Sequence, residues 1–157
     1  MDVFVFVLFQ LIGFAFCTDC PDGWLAFEGS CYLLEFDSVH FTEAEEYCKQ
    51  HGANLVHVET NEENMFLKGF IQSYLKEADY WIGMTDEIIE GVWKWYGSNT
   101  PIEFSDWGPT EPQDANMAED CAVFHHSLKY QWADVGCATN RKALCEKRID
   151  DQTSIVG

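Results

Sequence analysis

Two capping patterns and the apolar periodicity behind them divide the chain. Thr60-Asn61-Glu62-Glu63 has capping-box spacing, a hydroxyl placed to accept from the first turn and a carboxylate three residues on. Behind it Phe66, Leu67, Phe70, Ile71, Tyr74 and Leu75 recur at i, i+4 and i+8, which predicts an amphipathic helix over 61–76 with one core face. Thr42-Glu43-Ala44-Glu45 repeats the spacing and predicts a shorter helix through Cys48 to about His51, stopped by Gly52. Ala44, Tyr47 and Cys48 share its buried face, and Phe41 packs just ahead of the cap.

Elsewhere the pattern is that of strands. Cys31-Tyr32-Leu33-Leu34, residues 80–84, 92–96 and 121–124, a piece around Tyr130-Gln131-Trp132, and residues 142–146 are short apolar or alternating runs. Cys20-Pro21-Asp22-Gly23-Trp24 has turn chemistry. His125 and His126 are adjacent, so on a strand they would point to opposite faces, as an ordinary surface or partly buried pair. Residues 97–120 are rich in Gly, Pro, Asp, Asn and Ser and have few periodic apolar positions; a loop of that length in a compact domain is usually functional or disordered.

The first segment sets the expected compartment. Residues 3–16 are apolar except for Gln10 and Gly13, a run too short for a bilayer but of signal-peptide length. Ala15 and Cys17 are the small residues that precede a cut after Cys17, although the start carries Asp2 where such segments carry Lys or Arg. No later run is long enough to span a membrane. The expectation is a secreted protein with no membrane insertion: residues 1–17 a signal peptide, 18–147 one domain, 148–157 a polar tail.

Composition narrows the function. With 27 acidic and 9 basic residues the formal charge is −18, which argues against nucleic acid and anionic membranes and favours a cation as ligand. Aromatic content of 15% is too high for a disordered acidic chain. Of seven cysteines, six remain after the cut: Cys20, Cys31, Cys48, Cys121, Cys137 and Cys145. An even set in a secreted domain reads as three disulfides, whose pairing sequence logic leaves open, and no Cys-x-x-Cys spacing in the mature chain supports zinc.

Asp86, Glu90, Glu111, Asp114, Glu119, Asp120 and Asp134 sit in or near the long loop, and Lys94 is the only Lys or Arg between residues 77 and 128. Carboxylates so gathered repel unless spread apart or joined by a cation; Ca²⁺ takes oxygen ligands from such side chains, whereas Mg²⁺ keeps its waters. A merely acidic loop is equally consistent with the composition. Enzymatic readings are weak. No apolar surroundings are visible to raise the pKa of any one carboxylate, and the serines, Ser98 and Ser105 among them, lack a nucleophile-elbow context.

These residues resemble the C-type lectin-like domain over nearly the whole of 20–146. Cys20-Pro21-Asp22-Gly23-Trp24 through Phe27 to Cys31-Tyr32 is similar to the amino-terminal hairpin of its long form. Trp81-Ile82-Gly83-Met84 resembles the core Trp-Ile-Gly-Leu motif, and Glu119-Asp120-Cys121, Trp132-Ala133-Asp134, Cys137 and Cys145 follow in the family's order. The resemblance implies an α+β C-type lectin-like fold: two helices, small antiparallel sheets and a long calcium-binding loop. It also implies the pairs Cys20–Cys31, Cys48–Cys145 and Cys121–Cys137. In the loop-entropy model the second would contribute about 4–5 kcal/mol and the third about 3 kcal/mol.

The resemblance further implies Ca²⁺ as cofactor. Its auxiliary calcium site matches Asp86, Glu90, Asp114 and Asp120 with the carbonyl of Glu119; its sugar-binding calcium site matches Glu111, Gln113, Glu119, Ala133 and Asp134. A cis bond before Pro112 goes with the latter. Of these, Glu111, Gln113, Glu119 and Asp134 are the expected carbohydrate-binding residues. Two positions depart from the family pattern. Glu111-Pro112-Gln113 stands where the mannose type has Glu-Pro-Asn, and Trp132-Ala133-Asp134 where the family has Trp-Asn-Asp. Ala133 can neither chelate nor donate to a sugar, a loss of about 1.5–3 kcal/mol per hydrogen bond. The function implied is a secreted calcium-dependent lectin for mannose-like glycans over galactose, in recognition of microbial or self glycans, with avidity from a homodimer. The alternative is a lectin-like domain that binds protein or mineral surfaces without sugar.

Overall fold

The computed structural model describes residues 20–149 except 76, 99, 116 and 117; the expected signal peptide and residues 150–157 lie outside the described residues. Helix α1 (Phe41–Gln50) starts earlier than its sequence suggests. The cap is His40, whose amide donates to the Glu43 carboxylate at 3.1 Å, so Thr42 lies inside the first turn. The reason is packing. Starting at Phe41 puts Phe41, Ala44 and Cys48 at i, i+3 and i+7 on one buried face, with the Phe41 ring edge-on to Trp81 at 5.5 Å. Glu45 does not reach back to Thr42; it is buried and accepts the amide of Leu55 at 2.8 Å.

Helix α2 (Asn61–Tyr74) is capped as expected, Thr60 Oγ1 accepting the Glu63 amide at 3.1 Å. Leu67 and Ile71 are buried, but Tyr74 is 74% exposed, so the core face is narrower than the periodicity suggested. Glu63 turns inward, accepting from the Tyr32 hydroxyl at 2.7 Å and the Glu59 amide at 2.9 Å.

Among the described residues eight strands form one sheet: β1 (Leu25–Phe27), β2 (Ser30–Val39), β3 (Asn54–Leu55), β4 (Tyr80–Thr85), β5 (Lys94–Trp95), β6 (Cys121–His125), β7 (Gln131–Val135) and β8 (Arg141–Arg148). The order is β1-β2-β8-β4-β6-β7, with β3 on β8 and β5 on β4. All pairs are antiparallel except β4 with β8, which run parallel at Tyr80–Lys142. β8 reaches Arg148, and the Ile149 amide donates to Gly29 at 2.7 Å, so the pairing extends into the first residues assigned to the tail.

Two apolar clusters hold the elements together. One gathers Leu67, Ile71, Ile82, Phe124 and Trp132; the other gathers Phe41, Cys48, Trp81, Val123 and Cys145. Gly83 sits where chains meet, since a Cβ there would come within 2.7 Å of the Leu55 carbonyl oxygen. The three disulfides are Cys20–Cys31, Cys48–Cys145 and Cys121–Cys137.

The adjacent histidines do not alternate. β6 ends at His125, a 3-10 turn over His126–Leu128 follows, and the two rings lie stacked, 5.4 Å apart and both turned to Asp79. The turn breaks the period of two that the expectation assumed.

Candidate functional site

The described residues of 97–120 form the long loop and carry no regular element beyond bridges at Pro101 and Trp107. Asp106 is its main anchor. It accepts from Lys68 Nζ at 2.5 Å, from Asn64 Nδ2 at 2.8 Å and from Gln131 Nε2 at 3.2 Å, and its carbonyl takes the Trp132 amide. Burial alone would raise its carboxyl; the hydrogen bonds from Lys68, Asn64 and Gln131 outweigh this and hold it below the usual range. Asn64 also accepts from Trp132 Nε1 at 3.1 Å, so one network joins α2, the loop and β7.

Beyond that anchor the loop turns toward β7. The Gly108 amide donates to the Trp132 carbonyl at 2.8 Å, and a Cβ on Gly108 would meet Leu128 at 2.7 Å. The Glu111–Pro112 bond is cis. The next two amides are bound by Asp134: Oδ1 takes Gln113 at 2.9 Å and Oδ2 takes Asp114 at 2.5 Å. Asp134 is 2% exposed, yet every oxygen keeps a further lone pair. Glu119 accepts the Ala115 amide at 2.8 Å, and its own amide points to Asp114 Oδ1 at 3.4 Å.

Glu111 completes this group. Its Oε2 is buried with no hydrogen-bond partner. Burial, then the neighbouring Asp134, then the charge of Glu119, push its carboxyl up to about 7. Surroundings able to raise a carboxyl pKa therefore do exist here, contrary to the sequence expectation; the cause is folding, which buries Glu111 beside other acids.

A second group adjoins the first. The Asp86 amide donates to the Asp120 carbonyl at 3.2 Å, and Asp86 Oδ2 accepts from Gly91 at 2.9 Å. Asp86 Oδ1 is buried and has no partner. Burial and the Asp120 charge raise the Asp86 carboxyl; desolvation and the charges of Asp86, Asp114 and Asp120 raise that of the exposed Glu90. Asp114, in electrostatic reach of Glu90 and hydrogen-bonded to Asp134, links the two groups.

The fold thus gathers Asp86, Glu90, Glu111, Asp114, Glu119, Asp120 and Asp134. Gln113 joins only through its backbone, since its side chain is exposed and makes no hydrogen bond among the described residues. Ala133 is 3% exposed and packs in the second apolar cluster. None of the seven carboxylates pairs with Lys or Arg among the described residues. Their oxygens are not drawn tightly together: among the described residues, the one trio of metal-ligating groups within 4.8 Å of each other is Asp79, His125 and His126. Two orphaned buried oxygens, an all-oxygen donor set and uncompensated negative charge fit a hard cation of the Ca²⁺ kind.

Comparison with known proteins follows this geometry. The family profile described as "Lectin C-type domain" matches residues 37–147. A "Perlucin-like protein" of Mytilus galloprovincialis is 30% identical over 141 residues, 87% of this chain and 90% of the relative. The solved "SPL-1 - GlcNAc complex" is 32% identical with a TM-score of 0.73, covering 83% of this chain and 97% of that one. A "calcium-independent type II antifreeze protein" is 26% identical with a TM-score of 0.72, covering 82% and 94%.

Proposed function

The chain belongs to the C-type lectin domain family, and on that premise we propose that it is a secreted, calcium-dependent lectin for mannose-like glycans. The single observation that carries the reading is Glu111: a half-buried carboxylate whose Oε2 is shut off from solvent and unpartnered, beside Asp134 and Glu119 and without a basic partner among the described residues. The sugar-binding ion would be held by Glu111, Glu119 and Asp134; Gln113, expected as a further ligand, would have to turn its side chain in from solvent to join them. The auxiliary ion would be held by Asp86, Glu90, Asp114 and Asp120 with the Glu119 carbonyl. When bound, Ca²⁺ supplies open coordination positions that two vicinal sugar hydroxyls can fill. This chain's own residues fix the pocket around them, Asp134 holding the loop and Glu111 favouring mannose-like over galactose-like hydroxyl geometry. The family's proteins are generally non-enzymatic binders, and the raised Glu111 carboxyl is read here as a cation ligand and not as a general acid.

A second reading rests on Ala133 and Gln113. With Ala133 buried and the Gln113 side chain out in solvent, a sugar has fewer direct partners at this site. The likeness to a calcium-independent type II antifreeze protein supports this reading, a lectin-like domain that binds protein or mineral surfaces without sugar.

Retention of the purified chain on immobilised mannose, galactose and N-acetylglucosamine separates the two. Strongest retention on mannose, reversed by a chelator, is the expected result. No retention on any sugar, with calcium still raising the melting temperature, would overturn the lectin reading and favour the second.

A further inference from the structure

Asp79, His125 and His126 each offer a ligand atom within 4.8 Å of the other two, apart from the loop carboxylates. Strand register brings them together. Tyr80 of β4 faces Phe124 of β6, so Asp79 stands just before β4 where His125 ends β6. The 3-10 turn then swings His126 to the same side. Asp79 Oδ1 accepts the His126 amide at 2.9 Å and lies 2.7 Å from His126 Nδ1, while His125 Nε2 is 3.9 Å from Asp79 Oδ2.

In a tetrahedral zinc site with bonds of about 2.0–2.1 Å, neighbouring ligand atoms lie about 3.3–3.4 Å apart. The two separations, 2.7 Å to Asp79 Oδ1 and 3.9 Å to Asp79 Oδ2, bracket that spacing. A supporting hydrogen bond is present as well. His126 Nε2 lies 3.2 Å from Ser127 Oγ; without an ion Nδ1–H donates to Asp79 Oδ1, and on metal binding a proton on Nε2 donated to Ser127 Oγ would leave Nδ1 as the ligand nitrogen. The site is open, with side-chain exposures of 27% for His125 and 43% for His126. A cleft of about 370 Å³ lined by Gln72, Glu77, Lys129 and Tyr130 borders the His126 ring.

Two features oppose a cation here. Arg141 Nε lies 2.9 Å from Asp79 Oδ2, although it is not aligned to donate a hydrogen bond. The Ser127 amide also donates to His125 Nδ1 at 3.3 Å, a bond that gives way when His125 moves its proton from Nε2 to Nδ1. Both weaken affinity, and the ion must also replace the contact between His126 Nδ1 and Asp79 Oδ1, an oxygen that already accepts the His126 amide. We propose that Asp79, His125 and His126 form a site for a borderline divalent cation, with Zn²⁺ the ion it suits. Imidazole nitrogen selects Zn²⁺ over Ca²⁺, so the two classes of ion are sorted by ligand chemistry within one domain.

The proposal does not depend on sugar binding, and its test keeps the calcium groups out of play. ZnCl₂ is titrated calorimetrically into the full chain held in excess CaCl₂. One Zn²⁺ per chain at micromolar Kd is expected, weakened at least tenfold by His126→Gln, lost in His125→Gln with His126→Gln, and unchanged in Glu111→Gln. Co²⁺ as a probe should give a visible d–d band that His126→Gln removes. No Zn²⁺ binding by the wild type, or a folded double variant with affinity within twofold of wild type, would overturn the site. If the double variant fails to fold, the partly exposed His126→Gln decides alone: unchanged affinity and an unchanged Co²⁺ band refute the proposal.

Discussion

Asp134 Oδ1 accepts the backbone N–H of Gln113 at 2.9 Å, and its partner oxygen takes the next amide, that of Asp114. The loop bearing Glu111 is thus fastened to β7 by protein groups alone. Asp134→Asn replaces one acceptor by a donor that faces a backbone N–H. In chelator it should cost about 1–3 kcal/mol, the range for a buried group left unpaired. Urea unfolding with and without Ca²⁺ measures this, and the calcium-dependent gain in stability should shrink in the same variant. Unchanged stability in chelator would mean that the fastening contributes nothing.

Ala133→Asn restores the amide that the resemblance leads one to expect. Retention on immobilised mannose in Ca²⁺ should rise, by about one to two factors of ten for a recovered hydrogen bond of about 1.5–3 kcal/mol. Because Ala133 is buried in an apolar cluster, the gain should come with a lower melting temperature. Equal retention before and after would show that Ala133 does not limit sugar binding.

Asp106→Ala removes the acceptor shared by Lys68, Asn64 and Gln131. The expected loss is about 2–3 kcal/mol, with Lys68 left without its ion-pair partner. Hydrogen exchange should quicken across residues 100–115 more than in α2. A uniform change along the whole chain would contradict the anchoring role.

His57 supplies the pH dependence. Its ring stacks on Trp95 at 5.0 Å, and burial lowers its pKa from 6.5 to about 4. The unfolded chain therefore takes up this proton before the folded one does. His57 costs nothing above pH 6.5, and the folded state loses stability as the pH falls from there toward 4, by at most roughly 3 kcal/mol. His57→Gln should flatten the unfolding free energy across that window relative to wild type. Parallel profiles for the two proteins would remove His57 as the cause.

Which parts of the molecule the sequence discloses follows from how far apart the interacting groups lie. α2 was legible because Thr60 and the amide it binds are three residues apart and the apolar period repeats within the helix. The strands carrying Trp81, Cys121 and Leu144 were legible as short apolar runs. Asp106 was not, because an acid in a polar loop looks like surface until Lys68, 38 residues away, is brought to it. Glu45 and Glu63 look like capping groups in the sequence for the same reason; their burial depends on Leu55 and Tyr32, which only the fold brings near. The carboxylates of the loop needed the family pattern to be singled out, and their raised pKa values needed burial that no local composition displays.

The pairing of β2 with β8 has a mechanical consequence. Ser30 lies opposite Arg148, and Ile149 still bonds to Gly29, so the two described ends of the domain are neighbours. Tension applied between them shears that seam and then runs through Cys20–Cys31, α1 and Cys48–Cys145. Residues 49–144 hang off this load path behind a covalent shunt. While the shunt is intact, stretching cannot pay out the long loop, and every candidate ligand keeps its place under force. Reduction of Cys48–Cys145 would put the loop itself under strain and make ligand retention sensitive to pulling.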